Sequence, residues 1–112
     1  MKVAIVGSRG FTNYQLLKKY MDECGLKITA IISGGAAGAD SLARRYAKEN
    51  NIELVEFKAD WSQGKGAGYK RNVDIINNSD WVFAFWDHSS KGTKHSIDIS
   101  KKFRKPIEII KV

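Results

Sequence analysis

Residues 28–40 read Ile-Thr-Ala-Ile-Ile-Ser-Gly-Gly-Ala-Ala-Gly-Ala-Asp. The apolar run from Ile28 to Ile32 stops at Ser33-Gly34-Gly35, which is the pattern of a buried strand. A helical pattern begins almost at once. From about Gly38 to Asn50, Leu42, Ala43, Tyr46 and Ala47 recur on one face. A strand that runs into a helix through a glycine-rich turn is half of a β-α-β unit, and units of that kind build parallel sheets.

The same alternation extends in both directions. Val3-Ala4-Ile5-Val6 is a continuous apolar run ending at Gly7, as in a strand buried on both faces. Leu16, Leu17, Tyr20, Met21 and Cys24 follow at helical spacing, with Thr12 or Asn13 as the cap and Gly25 at the C-terminal end. Downstream, Ile52 to Phe57 alternates apolar with acidic residues, as an edge strand does. Residues 58–68 read as a long polar loop with Trp61 and three glycines. A third helix follows, with Val73, Ile75 and Ile76 inward. Trp81 to Trp86 is apolar throughout and reads as a central strand, 87–92 as a loop, Thr93 to Phe103 as a fourth helix capped by Thr93, and Ile107 to Ile110 as a last strand after Pro106. The expected fold is a single α/β, Rossmann-like domain over residues 1–112. Its five-stranded parallel sheet has order 3-2-1-4-5, with helices on both faces. There are no internal repeats and no low-complexity segments.

Composition agrees with one globular domain. The chain has 112 residues, 43% hydrophobic and 28% charged. The longest apolar run, residues 81–86, is far short of the ~20 residues of a membrane span, so no membrane partner is expected, and no signal peptide is read. Cys24 is the only cysteine. It excludes an intrachain disulfide and a cysteine zinc site and fits a reducing, cytoplasmic location. The net charge is +7, of which +2 falls in residues 1–60 and +5 in residues 61–112. Such an excess points to an anionic partner, phosphate on a small ligand or on nucleic acid. Lys101, Lys102, Arg104 and Lys105 have a second reading, as cations at a helix C-terminus.

Nine of the ten glycines lie beyond strand C-termini. That is the edge where open parallel sheets bind ligands, next to the reversal of strand order between the first and fourth strands. Ser33 to Asp40 is the strongest element. Gly34, Gly35 and Gly38 let backbone approach a phosphate at a helix N-terminus, although the spacing matches neither the dinucleotide nor the P-loop fingerprint. Asp40 reads as a helix-capping carboxylate or as a group for ribose hydroxyls or an arginine. In Gly7-Ser8-Arg9, Ser8 can donate a hydroxyl and Arg9 can grip phosphate bidentately. Phe11 stacks on a base or packs in the core. Lys65, Lys70, Arg71 and Asn72 follow Trp61. Trp61 is expected to cover the core beneath its loop, the alternative being a base-stacking surface. Asn72 suits a bond to a loop backbone or a ligand. Asp87-His88-Ser89-Ser90-Lys91-Gly92-Thr93 offers a second phosphate cradle, with Asp87 for ribose or as a base. His88 and His95 form no metal motif, and no nucleophile elbow or Cys–His pair occurs, so neither a metal nor a cofactor is expected.

GSRGF at 7–11, ISGGAAGADSLARRYA at 32–47, FKADW at 57–61, GKGAGYKRN at 64–72, AFWDHSSKGT at 84–93 and KPIEII at 105–110 together resemble the YspA-like small Rossmann proteins of the SLOG superfamily of nucleotide-derivative binders. The order of motifs is kept over essentially the whole chain. A more distant resemblance runs to the "lonely guy" phosphoribohydrolases and to the Rossmann domain of DNA-processing protein A. The resemblance implies a nucleotide-type ligand held at Gly7, Ser8, Arg9, Gly34, Gly35, Gly38, Asp40, Asn72, Asp87, Gly92 and Thr93. It also implies a homo-oligomer, since related folds pair through helices. One departure matters. The phosphoribohydrolases carry Gly-Gly-x-Gly-Thr-x-x-Glu, and here Ser96 stands at the glutamate position and Ser89-Ser90 at the paired glycines, with Asp98 rotated roughly 200° away. The expected function is therefore capture of a small phosphorylated nucleoside of ADP-ribose or cyclic-nucleotide type, for sensing or sequestration (an immune signal included), without turnover. The alternatives are N-glycosidic hydrolysis using Asp40 or Asp87 and binding of single-stranded nucleic acid.

Overall fold

The computed structural model describes residues 1–64 and 66–112; Lys65, one of the cations noted above, lies outside the described residues. Five strands and four helices alternate: β1 (Lys2–Gly7), α1 (Tyr14–Glu23), β2 (Ala30–Ser33), α2 (Ala39–Glu49), β3 (Glu53–Glu56), α3 (Ala67–Asn77), β4 (Trp81–Trp86), α4 (Lys91–Lys102) and β5 (Ile107–Lys111). A 3-10 turn, Trp61–Gln63, precedes α3. The sheet order is β3-β2-β1-β4-β5, as expected, and every pairing is parallel. β1 and β4, the two strands at the reversal, pair from Val3–Trp81 to Gly7–Phe85.

The continuous apolar strands are explained by two cores, one on each side of the sheet. Val3, Ile5, Ile31, Phe83 and Phe85 face α1 and α2, where Leu17, Met21, Ala43 and Tyr46 are buried with them. The intervening residues Ala4, Val6, Ile32, Val82 and Ala84 face α3 and α4, against Ile75, Ile76 and Ile97. A strand with helices on both sides cannot alternate apolar with polar, because both of its faces are dry. The edge strand β3 is only half buried, in keeping with its glutamates. Two hydrogen bonds, from Tyr14 to Glu49 (2.9 Å) and from Tyr46 to Asp22 (2.7 Å), hold α1 to α2. Burial and the Glu49 carboxylate push the Tyr14 phenol up to about 12.

Several boundaries differ from the sequence reading by one or two residues, among them β3 (Glu53–Glu56), the start of α3 at Ala67 and the end of β5 at Lys111, and two of the differences have a visible cause. β2 starts at Ala30, because Thr29 is tied to the N-terminus instead: its amide donates to the Met1 carbonyl (2.9 Å), and its hydroxyl meets the terminal amine (3.1 Å). α4 starts at Lys91, two residues before Thr93. Ser90 is the cap, in extended conformation, with its hydroxyl accepting from the Thr93 amide (3.5 Å) and bonded to the Thr93 hydroxyl (3.0 Å). At α1, Asn13 is the cap, accepting from Leu16.

Phe85 anchors the first core. It is fully buried, its ring stacked on Phe11 at 5.1 Å and met edge-on by Tyr20 at 6.1 Å. Truncation would leave a cavity between sheet and helices. The expected cost of Phe85→Ala is about 3–5 kcal/mol of unfolding free energy, read by chemical denaturation.

Candidate nucleotide-binding cleft

The C-terminal ends of β1, β2 and β4 deliver three loops to one place. Ser8 is the first residue beyond β1 and is buried. Its amide donates to the Phe85 carbonyl (3.0 Å), its carbonyl accepts from Phe11 (3.1 Å) and Ala39 (3.3 Å), and its hydroxyl accepts from the Asp87 amide (3.2 Å). The loop after β2 presses onto the same point. Gly38 has φ +70°, and a Cβ there would lie 2.3 Å from the Arg9 carbonyl oxygen and 2.4 Å from that of Ser8. Gly7 is equally tight, since a Cβ would stand 2.6 Å from the Phe85 carbonyl oxygen and 2.7 Å from Ala39 Cβ. The glycines therefore let backbone meet backbone and α2 meet the sheet.

Between the loops lies an open cleft of about 400 Å³. Of the residues singled out from sequence, Gly7, Ser8, Arg9, Asp40, Asn72, Asp87, Ser90, Gly92 and Thr93 line it. The others stand elsewhere. Phe11 takes the packing alternative, buried under Phe85 with only an edge on a neighbouring apolar hollow. Gly34 and Gly35 border a smaller depression with Lys58 and Trp61, and Gly38 is the contact behind the cleft. Ser89 and Lys91 are exposed and do not line the cleft. The expectation that Trp61 covers the core is corrected: it is 59% exposed, because the 3-10 turn capped by Asp60 carries it outward.

Each polar group of the cleft has a distinct setting. Arg9 is exposed and makes no hydrogen bond or ion pair among the described residues. The sequence reading assigns Asn72 to the site and not its neighbour Arg71, yet Arg71 reaches the cleft as well. Its Nη1 donates to the Gly34 carbonyl (2.9 Å) and its Nε to Asn72 Oδ1 (3.1 Å). Gly34 leaves the room for this: a Cβ there would stand 2.7 Å from Nη1. Asn72 bridges α3 to α4, its Nδ2 lying 3.3 Å from both the Gly92 carbonyl and His95 Nδ1. Since Nδ2 is a donor, His95 Nδ1 must be the bare acceptor nitrogen.

The two carboxylates of the cleft hold loops. Asp87 Oδ1 accepts from the Ser89 and Ser90 amides, both at 2.8 Å, and these bonds lower its pKa below the ordinary carboxylate range. Asp40 accepts from Ala36 (3.1 Å); its burial raises its pKa, against the opposing pull of that amide and of Arg71. Ser96, at the position of the hydrolase glutamate, is buried on the cleft wall and donates to the Gly92 carbonyl (3.3 Å). Asp98 faces solvent, paired with Lys94 at 3.0 Å. Among the described residues no three of His, Cys, Asp and Glu stand together as metal ligands, and no helix is long and apolar enough to cross a membrane.

Two outcomes follow from this geometry. Gly38→Ala should destabilise by at least about 1–3 kcal/mol, since a positive φ and a backbone collision coincide; denaturation measures it. His95 is held below its ordinary 6.5 by desolvation, opposed by Asp98. The folded chain therefore binds this proton less readily than the unfolded chain does, so stability is full above 6.5 and falls as pH drops through that value. Denaturation midpoints compared between neutral and mildly acid pH should show the fall, and His95→Gln should reduce it.

The sequence and the fold have counterparts in known proteins. The YspA, cpYpsA-related SLOG family pattern matches residues 1–64. The Gene 61 protein of Mycobacterium phage D29 is 33% identical over 84 residues, which are 69% of this chain and 67% of that protein. Among solved structures, DNA processing protein A from Helicobacter pylori, described for its single-stranded DNA binding mode, is 26% identical, with a TM-score of 0.73 over 97% of this chain. DNA processing protein A from Streptococcus pneumoniae shares the fold at 17% identity, with a TM-score of 0.81 over 96% of this chain. This chain spans only 64% and 49% of those two. With its glycine-lined cleft at the switch point and these matches, the chain belongs to the YspA, cpYpsA-related SLOG family.

Proposed function

We propose that the cleft binds single-stranded nucleic acid by gripping a backbone phosphate between Arg9 and the start of α2. The observation that carries this reading is the likeness, over 97% of the chain, to a DNA processing protein A whose solved structure concerns single-stranded DNA binding. Three features of the cleft support it. Arg9 stands free among the described residues, and its planar fork suits two phosphate oxygens. α2 opens on the cleft with no side-chain cap, so the partial positive charge of its start is directed at the same space, the Ala39 amide itself being taken by the Ser8 carbonyl. The cleft is also open, which lets a chain enter and leave. The net charge of +7 adds a long-range attraction for a polyanion.

In this reading Arg71 has two tasks. Its bond to Gly34 fixes the glycine loop, and its charge lies beside the phosphate position. Asp87 and Ser90 hold the opposite wall, so phosphate meets a preformed site. No step of bond cleavage is proposed.

A second reading, capture of a free phosphorylated nucleoside such as ADP-ribose for sensing or sequestration, is favoured by the concave form of the cleft and its volume of about 400 Å³, within the range of small-molecule sites. Titration with oligothymidylate, thymidine 5′-phosphate and ADP-ribose separates the two. A single-stranded binder prefers the oligomer, and log K falls with log salt by roughly 0.7 per phosphate contacted. Equal or tighter binding of a mononucleotide, with a shallow salt dependence, would replace the first reading by the second. Arg9→Ala should weaken oligomer binding about tenfold or more, reduce the salt slope by about 0.7, and leave the melting temperature unchanged; calorimetry and thermal denaturation measure the three.

A further inference from the structure

We propose that the surface between Trp61 and Tyr69 is a base-stacking subsite, which takes the base of the nucleotide adjoining the phosphate gripped in the cleft. The inference rests on the single-stranded reading above and assigns that strand a direction of travel across the molecule. Trp61 is 59% exposed and Tyr69 50%, the two most exposed of the large hydrophobic side chains. A pocket of about 370 Å³ lies against both. It also touches Arg9, Arg71, Asn72 and Gly92, and all four line the main cleft. The two hollows are therefore neighbours across the arginines, and a phosphate held at Arg9 has the cleft on one side and the aromatic pair on the other.

Both rings are held in place outside the core. Trp61 sits in a 3-10 turn whose cap, Asp60, accepts from the Ser62 amide (3.1 Å) and from Gln63 Nε2 (3.1 Å). The indole lies close against the first turn of α3 at Gly68, where a Cβ would come within 3.1 Å of its Cη2. Tyr69 packs on the His95 ring, with centroids 4.3 Å apart. A folded chain gains nothing by presenting a tryptophan to water in a fixed turn, whereas a nucleobase offers it a π-face. The charge around the pocket agrees with that occupant. Its described lining holds two arginines and no carboxylate. The adjacent depression is mixed instead, with Asp60 and Asp74 among Lys58, Lys70 and Arg71. An apolar peptide would need no arginines at this place; a nucleotide uses both the rings and the charges.

The test uses the full chain and two probes, a thymidylate pentamer and a pentamer of the same charge made entirely of abasic sites, each followed by calorimetry and tryptophan fluorescence. Thymidylate should quench the fluorescence of the parent protein, and the abasic strand should not. Trp61→Ala should bind thymidylate roughly tenfold more weakly and the abasic strand as the parent does, with Trp61→Phe restoring most of the loss and the melting temperature unmoved. Arg9→Ala should weaken both probes. If Trp61→Ala leaves thymidylate binding intact, or weakens both probes equally, the stacking subsite is wrong while the phosphate grip stands. If the parent protein binds neither pentamer, the single-stranded reading fails and the subsite fails with it. Tyr69→Ala gives the same discrimination from the other side of the pocket.

Discussion

Everything in the cleft hangs on Ser8. One buried residue receives the end of β4 on its amide, the start of α2 on its carbonyl and the loop after β4 on its hydroxyl. A net worth of ~1 kcal/mol for each hydrogen bond makes the set modest in total. Its importance is geometric. The loops after β2 and β4 are brought to hydrogen-bond distance of the loop after β1, in the place where strand order reverses. Close approach of this kind is impossible with side chains in the way, so Gly7 and Gly38 are consequences of the junction rather than separate features. The glycine-rich motif thus serves packing first, and the concavity is what the packing leaves over.

That order of causes explains which parts of the molecule could be read from sequence. Strand order and element types are legible because two dry faces force apolar runs such as Val3–Val6, and because the first two runs stop at Gly7 and at Ser33-Gly34. The position of the cleft was legible for the same reason. The roles of individual glycines were not. Gly38, taken as part of a ligand cradle, is pressed against backbone, and Gly35 points its missing side chain toward Lys58. A glycine demanded by a ligand and one demanded by a neighbouring carbonyl look alike in a string of letters. Arg71 was obscured by a similar limit. Adjacent helical residues diverge by about 100°, which suggests that only one of Arg71 and Asn72 faces the site. The long arginine stem folds back to Gly34, so both do. Trp61 went the other way: hydrophobicity alone assigns it to the core, and only the turn capped by Asp60 shows it outside.

The carboxylates follow a pattern of their own. Asp87 turns its acceptors toward two amides of its own loop, and that loop sets the Ser90 cap from which α4 springs. Asp40 ties Ala36 down across the glycine turn. Both are on the cleft wall, where a free acidic group would work against an anionic ligand. Their negative charge is already engaged by amide donors, and for Asp40 by nearby Arg71, so the field they project into the cleft is reduced. An anion entering beside them meets Arg9, whose guanidinium donors are all unused among the described residues.

The basic excess divides along the same lines. Lys101 and Lys102 close α4 and Arg104 follows, at the end of the helix remote from the cleft, since α4 begins at the cleft and runs 12 residues away from it. At ~1.5 Å per residue that separation exceeds the ~10 Å screening length of 0.1 M salt. Those cations complement the helix C-terminus and add to the general field that draws in a polyanion. In the proposed reading, contact with a phosphate falls instead to Arg9 and Arg71, and Lys58 stands at the neighbouring depression. A chain of this charge therefore has a steering component, which salt removes without touching the site, and a local component fixed by two side chains that the Ser8 junction and the Gly34 carbonyl hold in range. On the proposed reading only the second distinguishes a nucleotide from any other anion, because only there do planar donors and exposed aromatic rings meet in neighbouring hollows.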